Sequence, residues 1–160
     1  MKELVAIADK IAASLIERRQ TIAVAESSTG GLISAALLAV PGASAYFVGS
    51  AVVYTRDARR ILMDIPDEAM KGIRSASEVY AKLLASQIRD RFSSDWGLSE
   101  TGATGPAGNR YGDAAGHSCI AVASLEQSAI TLETGSADRI ANMHVFAATA
   151  LDLMLQKLSR

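Results

Sequence analysis

Three segments of the chain gather side chains that could handle an acyl or phosphoryl group. The first is Ala25-Glu26-Ser27-Ser28-Thr29-Gly30-Gly31. Its three consecutive hydroxyls offer a nucleophile and a helix cap, and its paired glycines let backbone approach a ligand closely. A helix starting here would present free N–H groups and the positive end of its dipole, which suit a phosphate. The plainer reading is a capped helix start with Glu26 in solvent. The segment lacks the Gly-Lys-Ser/Thr of a Walker loop and is not a dinucleotide Gly-x-Gly-x-x-Gly turn. The second segment is Thr101-Gly102-Ala103-Thr104-Gly105-Pro106-Ala107-Gly108. Its glycines could leave N–H groups free as an anion cradle or oxyanion hole, or could mark a mobile surface loop. The third is Tyr54-Thr55-Arg56-Asp57-Ala58-Arg59-Arg60. Its arginines could grip a phosphate or carboxylate in bidentate fashion, or lie on a solvated helix face with local ion pairs. Arg139 carries the same two readings. His117 and His144 are far apart and neither has metal-ligand spacing; no Ser-His-Asp set is legible, and no metal site is expected.

These segments fall between elements that can be read from periodicity. Residues 2–19 carry Leu4, Ile7/Ala8, Ile11 and Leu15 at helical spacing. Residues 21–26 form a short apolar strand, 32–40 a helix and 47–54 a second, buried strand. Helix is expected over 56–63, with a further turn at 66–70, and from Glu78 to about Phe92 with Ser77 as its cap. Tyr80, Leu84 and Ile88 form the inward stripe of that helix. Residues 96–101 read as a third strand, and 102–116 as a long loop of the kind that is usually functional or disordered. A hairpin over 117–124 and 128–134 follows. A last helix runs from a Ser136 cap to about Lys157, with Ile140, Met143, Ala147, Leu151, Met154 and Leu158 facing in. Alternating strands and helices imply parallel pairing, and the hairpin adds an antiparallel strand. The expected product is a mixed sheet with helices on both faces, in one domain spanning 1–160.

Composition sets outer limits. The chain has 160 residues, 49% of them apolar, a formal net charge of -1 and one cysteine, Cys119. That is enough apolar material for a core. The mixed charges give no basic stripe for nucleic acid or an anionic membrane. A lone cysteine permits no internal disulfide, and a reducing, cytoplasmic setting is expected. Glu3, Asp9, Lys10 and Glu17 interrupt the N-terminal apolar run, which therefore does not read as a signal peptide. Residues 27–55 contain no charged side chain, but Pro41-Gly42 cuts the stretch, which reads as helix, turn and strand rather than a membrane span.

Taken together, these residues resemble the CinA C-terminal domain family, whose stand-alone members act as nicotinamide mononucleotide amidohydrolases. Residues 25–31 resemble the family's Ala-Glu-Ser-Cys/Ser-Thr-Gly-Gly, and 41–55 its approach to the second strand. Residues 77–92 are similar to its following helix, 101–108 to its Ser/Thr-Gly-x-Ala-Gly-Pro-x-Gly loop, and 137–139 to its Gly-Asp-Arg. The resemblance implies an α/β fold, a three-layer α/β/α sandwich with a mixed, mainly parallel five-stranded sheet. It implies hydrolysis of the carboxamide of nicotinamide mononucleotide in pyridine nucleotide salvage, with no cofactor and with homo-oligomeric assembly. By the same resemblance Ser27 is the nucleophile, with Ser28 as second choice, Tyr54 relays a proton, and Thr101 with Gly102, Thr104 and Gly105 supplies positioning and oxyanion contacts. Glu26, Ser28, Thr29, Gly30 and Gly31 would contact substrate at the helix start, and Arg139 would hold the phosphate. One departure matters. Where the family usually carries a lysine after the second strand, this chain has Arg59, and arginine keeps its proton up to a pKa of about 12 or more. Arg59 can bind an anion but cannot serve as a base. A second expectation follows: a non-catalytic nucleotide-binding relative. A third is an amidohydrolase acting on another nucleotide or small amide.

Overall fold

The computed structural model describes residues 1–159. The chain runs α1 (Lys2–Arg18), β1 (Ile22–Glu26), α2 (Leu32–Leu38), β2 (Phe47–Val52), α3 (Arg56–Met63), α4 (Glu78–Phe92), β3 (Trp96–Ala103), β4 (His117–Ala123), β5 (Gln127–Glu133) and α5 (Arg139–Leu158), with 3₁₀ turns at Ala43–Ala45 and Asp67–Met70. Local chemistry accounts for the helix ends. Thr55 caps α3 by accepting the Ala58 N–H at 3.1 Å, and Ser77 caps α4 by accepting that of Tyr80 at 3.2 Å. Arg19, Asp64 and Ser93 stop α1, α3 and α4 in the left-handed conformation.

The strand order is β2-β1-β3-β4-β5. β1 lies parallel to both β2 and β3, and β4 is antiparallel to β3 and β5. Four strands therefore point one way and β4 alone opposes them, the expected mixed sheet. Because side chains alternate across a strand, each face has its own core. Ile22, Val24, Leu98, Ile120 and Val122 pack against α1, α2 and α5. Ala23 and Ala25 meet Met63 of α3 and Tyr80, Leu84 and Ile88 of α4. Farther along, Cys119, Ala121 and Ala123 meet Ala81 and Ala85. Small residues on this second face bring α4 down onto the sheet. A Cβ added at Gly97 would lie 1.9 Å from the Ala85 carbonyl oxygen, and the Ser99 hydroxyl donates to the Ala81 carbonyl at 2.6 Å.

Four expectations shift. β2 is an edge strand, and its residues alternate between half-buried and exposed rather than being buried throughout. β3 runs on to Ala103, because Gly102 and Ala103 pair with Ser118 and His117 of β4. Asp138, not Ser136, caps α5, accepting the Ala141 N–H at 3.0 Å. Ile140 is consequently exposed, while Phe146 is fully buried. The uncharged stretch folds as α2, a 3₁₀ turn and β2, and among the described residues no helix is long and apolar enough to cross a membrane.

Candidate active site

Chain connectivity opens the site. From the carboxyl end of β1 the chain leaves through α2 toward β2, on one side. From that of β3 it leaves toward β4, on the other. Neighbouring parallel strands whose connections diverge leave a crevice beyond their carboxyl ends, where ligands of open α/β sheets bind. Ser27 follows β1, and Thr101 lies near the end of β3. Both line one cavity of about 260 Å³.

Two buried carboxylates build the Ser27 turn. Glu26 has no solvent exposure, contrary to the solvated side chain of the plainer reading. It accepts the N–H groups of Gly31 at 2.9 Å, Ile33 at 3.2 Å and Ser34 at 3.0 Å. The α2 N-terminus is therefore already occupied by an internal anion, and the free N–H groups expected there for a phosphate are spoken for. Glu100, also without exposure, reaches across from β3. Its Oε2 accepts the N–H of Ser27 at 3.1 Å and of Thr29 at 3.0 Å; its Oε1 accepts the Ser28 hydroxyl. The Thr29 hydroxyl lies 2.8 Å from Glu26 and 3.0 Å from Glu100. One hydroxyl proton serves one acceptor, so both contacts are complete only when a carboxyl carries a proton. Burial pushes the Glu100 carboxyl upward, and donations from Ser28, Thr29 and Ser27 offset this in part. Ser28 and Thr29 are buried in this network and stand behind the cavity wall. Gly31 takes φ +104°, and Gly30 backs onto Met143 of α5.

The second glycine segment divides. Thr101 and Gly102 reach the cavity, but Gly102 belongs to the β3–β4 ladder, and a Cβ there would lie 2.5 Å from the His117 carbonyl oxygen. Its glycine therefore serves strand pairing rather than an open cradle. Thr104 and Gly105 turn away toward α5. Buried Asn142 donates to the Thr104 carbonyl at 2.8 Å, and Arg139 to the Gly105 carbonyl at 2.6 Å. Arg139 also donates to the Tyr54 hydroxyl at 3.3 Å and lies outside the cavity wall. The loop returns at its tip, where Asn109, Arg110 and Tyr111 close the cavity beside Ser75 and Ala76.

Val53, Tyr54, Thr55, Arg56, Arg59 and Tyr80 complete the wall. Arg59 is 5% exposed; it donates to the Ile65 carbonyl at 3.2 Å and is ion-paired with Asp67. Arg56 and Arg60 share the same Asp67, at 3.4 and 2.5 Å. The local ion pairing of the plainer reading thus coexists with a place in the cavity for Arg56 and Arg59. Burial lifts the Tyr80 phenol to about 12. Donation from the Arg110 guanidinium holds the Tyr111 phenol below its ordinary value. Thr101 is buried, and its hydroxyl accepts the Ala76 N–H at 3.3 Å, which leaves its own proton for a ligand.

The structure thus brings together Ser27, Tyr54, Arg59, Thr101 and Gly102. It sets Glu26, Ser28, Thr29, Gly30, Gly31, Thr104, Gly105 and Arg139 behind or beside them. Glu100, Asp67, Arg110 and Tyr111 were not singled out from sequence. Glu100 alone carried a signal: it stands two residues from Leu98 on the same strand face, where a carboxylate must be buried.

Fold and site together define an α/β/α domain with a hydroxyl- and arginine-lined crevice at its strand ends. Residues 4–158 match the CinA C-terminal domain, and the chain belongs to that family. A CinA-like protein of Acidobacterium capsulatum is 37% identical over 88% of this chain and 34% of its own length. One of Gloeobacter violaceus is 36% identical over 95% of the chain and 36% of its own. The chain therefore spans about a third of these curated relatives. Among solved structures, a competence or damage-inducible protein of Enterobacter asburiae superposes with a TM-score of 0.91 at 26% identity, covering 97% of this chain and 98% of that one. The competence/damage inducible protein CihA of Agrobacterium tumefaciens gives 0.90 at 26%, covering 99% and 96%.

Proposed function

We propose that this domain hydrolyses the carboxamide of nicotinamide mononucleotide to nicotinate mononucleotide and ammonia, a pyridine nucleotide salvage step. The observation that carries this reading is the meeting of Ser27 and Thr101 in a cavity lined by three arginines, three tyrosines and, among the described residues, no carboxylate. Such a wall suits an anionic ligand with a planar ring. In this mechanism the Ser27 oxygen attacks the carboxamide carbon, and the carbonyl electron pair moves onto oxygen. The Thr101 hydroxyl donates a hydrogen bond to that oxyanion. Tyr54, held by Arg139, relays the serine proton to the departing nitrogen. The C–N bond breaks, ammonia leaves, and water then cleaves the acyl-serine ester. Glu26, Ser28, Thr29, Gly30 and Gly31 set the position of Ser27, and Gly102, Thr104 and Gly105 that of Thr101. A second reading draws on Arg59, whose permanent charge and pairing with Asp67 leave no lysine-type base on the wall; it is binding of the nucleotide without turnover.

One experiment separates them. Purified protein is incubated with nicotinamide mononucleotide, and ammonia and nicotinate mononucleotide are measured. Hydrolysis is expected, and Ser27→Ala should lower it by roughly a thousandfold or more. Undiminished hydrolysis in Ser27→Ala would overturn the assigned nucleophile. Ligand-induced thermal stabilisation without product would establish the second reading.

A further inference from the structure

The cavity is cationic, but its cations are not equivalent. Arg56 and Arg59 both lean on Asp67, which also serves Arg60. Arg139, the residue expected to hold a phosphate, is spent on the Gly105 carbonyl and the Tyr54 hydroxyl. Arg110 is different. Among the described residues no carboxylate pairs with it, and its one hydrogen bond is donated to the Tyr111 hydroxyl at 3.0 Å. A guanidinium facing a cavity with no counter-ion there has its remaining donors free for an anion.

The loop tip is built to hold that guanidinium in place. The Asn109 side-chain oxygen accepts the N–H groups of Tyr111 at 3.0 Å and Asp113 at 3.1 Å, and its amide donates to Asp113 at 2.8 Å. Asp113 is in turn gripped by both terminal nitrogens of Arg74. The guanidinium carbons of Arg74 and Arg110 lie 5.7 and 5.1 Å from the Tyr111 ring centroid, within cation–π range. Arg110 is therefore steadied by ring and hydroxyl of the same tyrosine, on a turn fixed by side-chain hydrogen bonds.

We infer that Arg110, held by Tyr111, is the phosphate ligand of this cavity in place of the expected Arg139, with Arg56 of the same cavity as its second contact. The inference deepens the amidohydrolase reading by naming the residue that holds its substrate's phosphate. It concerns binding and stands or falls separately from the chemistry at Ser27. Arg110 is exposed, so its removal leaves the core untouched.

The test measures binding of nicotinamide mononucleotide and nicotinamide riboside by calorimetry to the wild type, Arg110→Ala, Tyr111→Phe and Arg139→Ala, with thermal midpoints as a control for folding. The wild type should prefer the mononucleotide. Arg110→Ala should weaken the mononucleotide by about tenfold or more, one charge-assisted contact, and leave the riboside unchanged. Tyr111→Phe should give a smaller loss in the same direction. If turnover is present, Arg110→Ala should raise KM and leave kcat close to wild type. Equal binding of the two ligands by the wild type would overturn the subsite. So would a phosphate preference that survives Arg110→Ala and disappears in Arg139→Ala. An Arg110-dependent preference without hydrolysis keeps the subsite and removes the amidohydrolase. Hydrolysis with KM unmoved in Arg110→Ala does the reverse.

Discussion

Replacing Glu100 tests whether the Ser27 turn is held by hydrogen-bond geometry or by charge. In Glu100→Ala the buried N–H of Thr29 and the half-buried N–H of Ser27 lose their acceptor. An orphaned buried donor costs about 1–3 kcal/mol, so two cost about 2–6, or about 4 at mid-range. For a domain of this size that is a fall in Tm of roughly 8–16 °C. Glu100→Gln should behave differently. Its carbonyl oxygen can face the two N–H groups, and its NH₂ can face the Ser28 and Ser118 hydroxyls, which accept as readily as they donate. The loss should stay within about 1 kcal/mol. The pH dependence follows from the raised carboxyl. The folded state holds the Glu100 proton more tightly than the unfolded chain, so this group's contribution is complete below the unfolded value of about 4.3. It is lost as pH rises through the folded value. Glutamine copies the protonated carboxyl permanently, so its stability should fall less than that of the wild type over that range. Chemical denaturation from pH 4 to 8 for the three proteins is the assay. If Glu100→Gln is as unstable as Glu100→Ala, the carboxylate charge rather than its acceptor geometry fixes the turn, and the hydrogen-bond account above is wrong.

Two further expectations concern the frame. His117 presents Nδ1 to Glu133 and Nε2 to the Ala76 carbonyl at 2.8 Å; both faces are acceptors, so the imidazolium satisfies both. Burial lowers its affinity for the proton, but Glu133, the Ala76 carbonyl and Asp113 together outweigh that and raise it. Its stabilisation is complete below the unfolded value of about 6.5 and lost as pH rises through the folded one. The Tm of the wild type should therefore fall more steeply with rising pH over this window than that of His117→Gln; parallel curves would contradict the assignment. Gly97→Ala forces α4 off the sheet and should cost about 1–3 kcal/mol or more, read as a lower denaturant midpoint, and an unchanged midpoint would show that the helix yields freely.

Much of this frame was written locally. The α3 and α4 boundaries follow from Thr55 and Ser77 as caps and from a helical stripe, signals contained within a few residues. The three chemistry-bearing segments were visible in the same way, because glycines, hydroxyls and arginines cluster in sequence. What escaped depends on distant partners. β3 outruns its expected end because Gly102 pairs with a strand that begins fifteen residues later. Ser136 looks as good a cap as Asp138 until the Asn142 amide claims the Ser136 carbonyl at 2.8 Å. Glu26 reads as a surface acid until α2 folds back over it. Glu100 meets its donors across 71 to 73 positions of chain. Arg110 has meaning only once Asp67 has been shared out among the other arginines.

The divergence of the chain beyond β1 and β3 separates the tasks of the crevice. Its floor is laid by strand connectivity and by carboxylates sealed inside the protein, whereas the roof is a turn tied down through Asp113, which Arg74 grips. Residues 110–112 could thus be exchanged for another sequence to alter which molecules are admitted, while Asp113 keeps the turn anchored and the hydroxyls beneath keep their positions. A directed library confined to that turn would be the economical route to new ligand preferences on this scaffold.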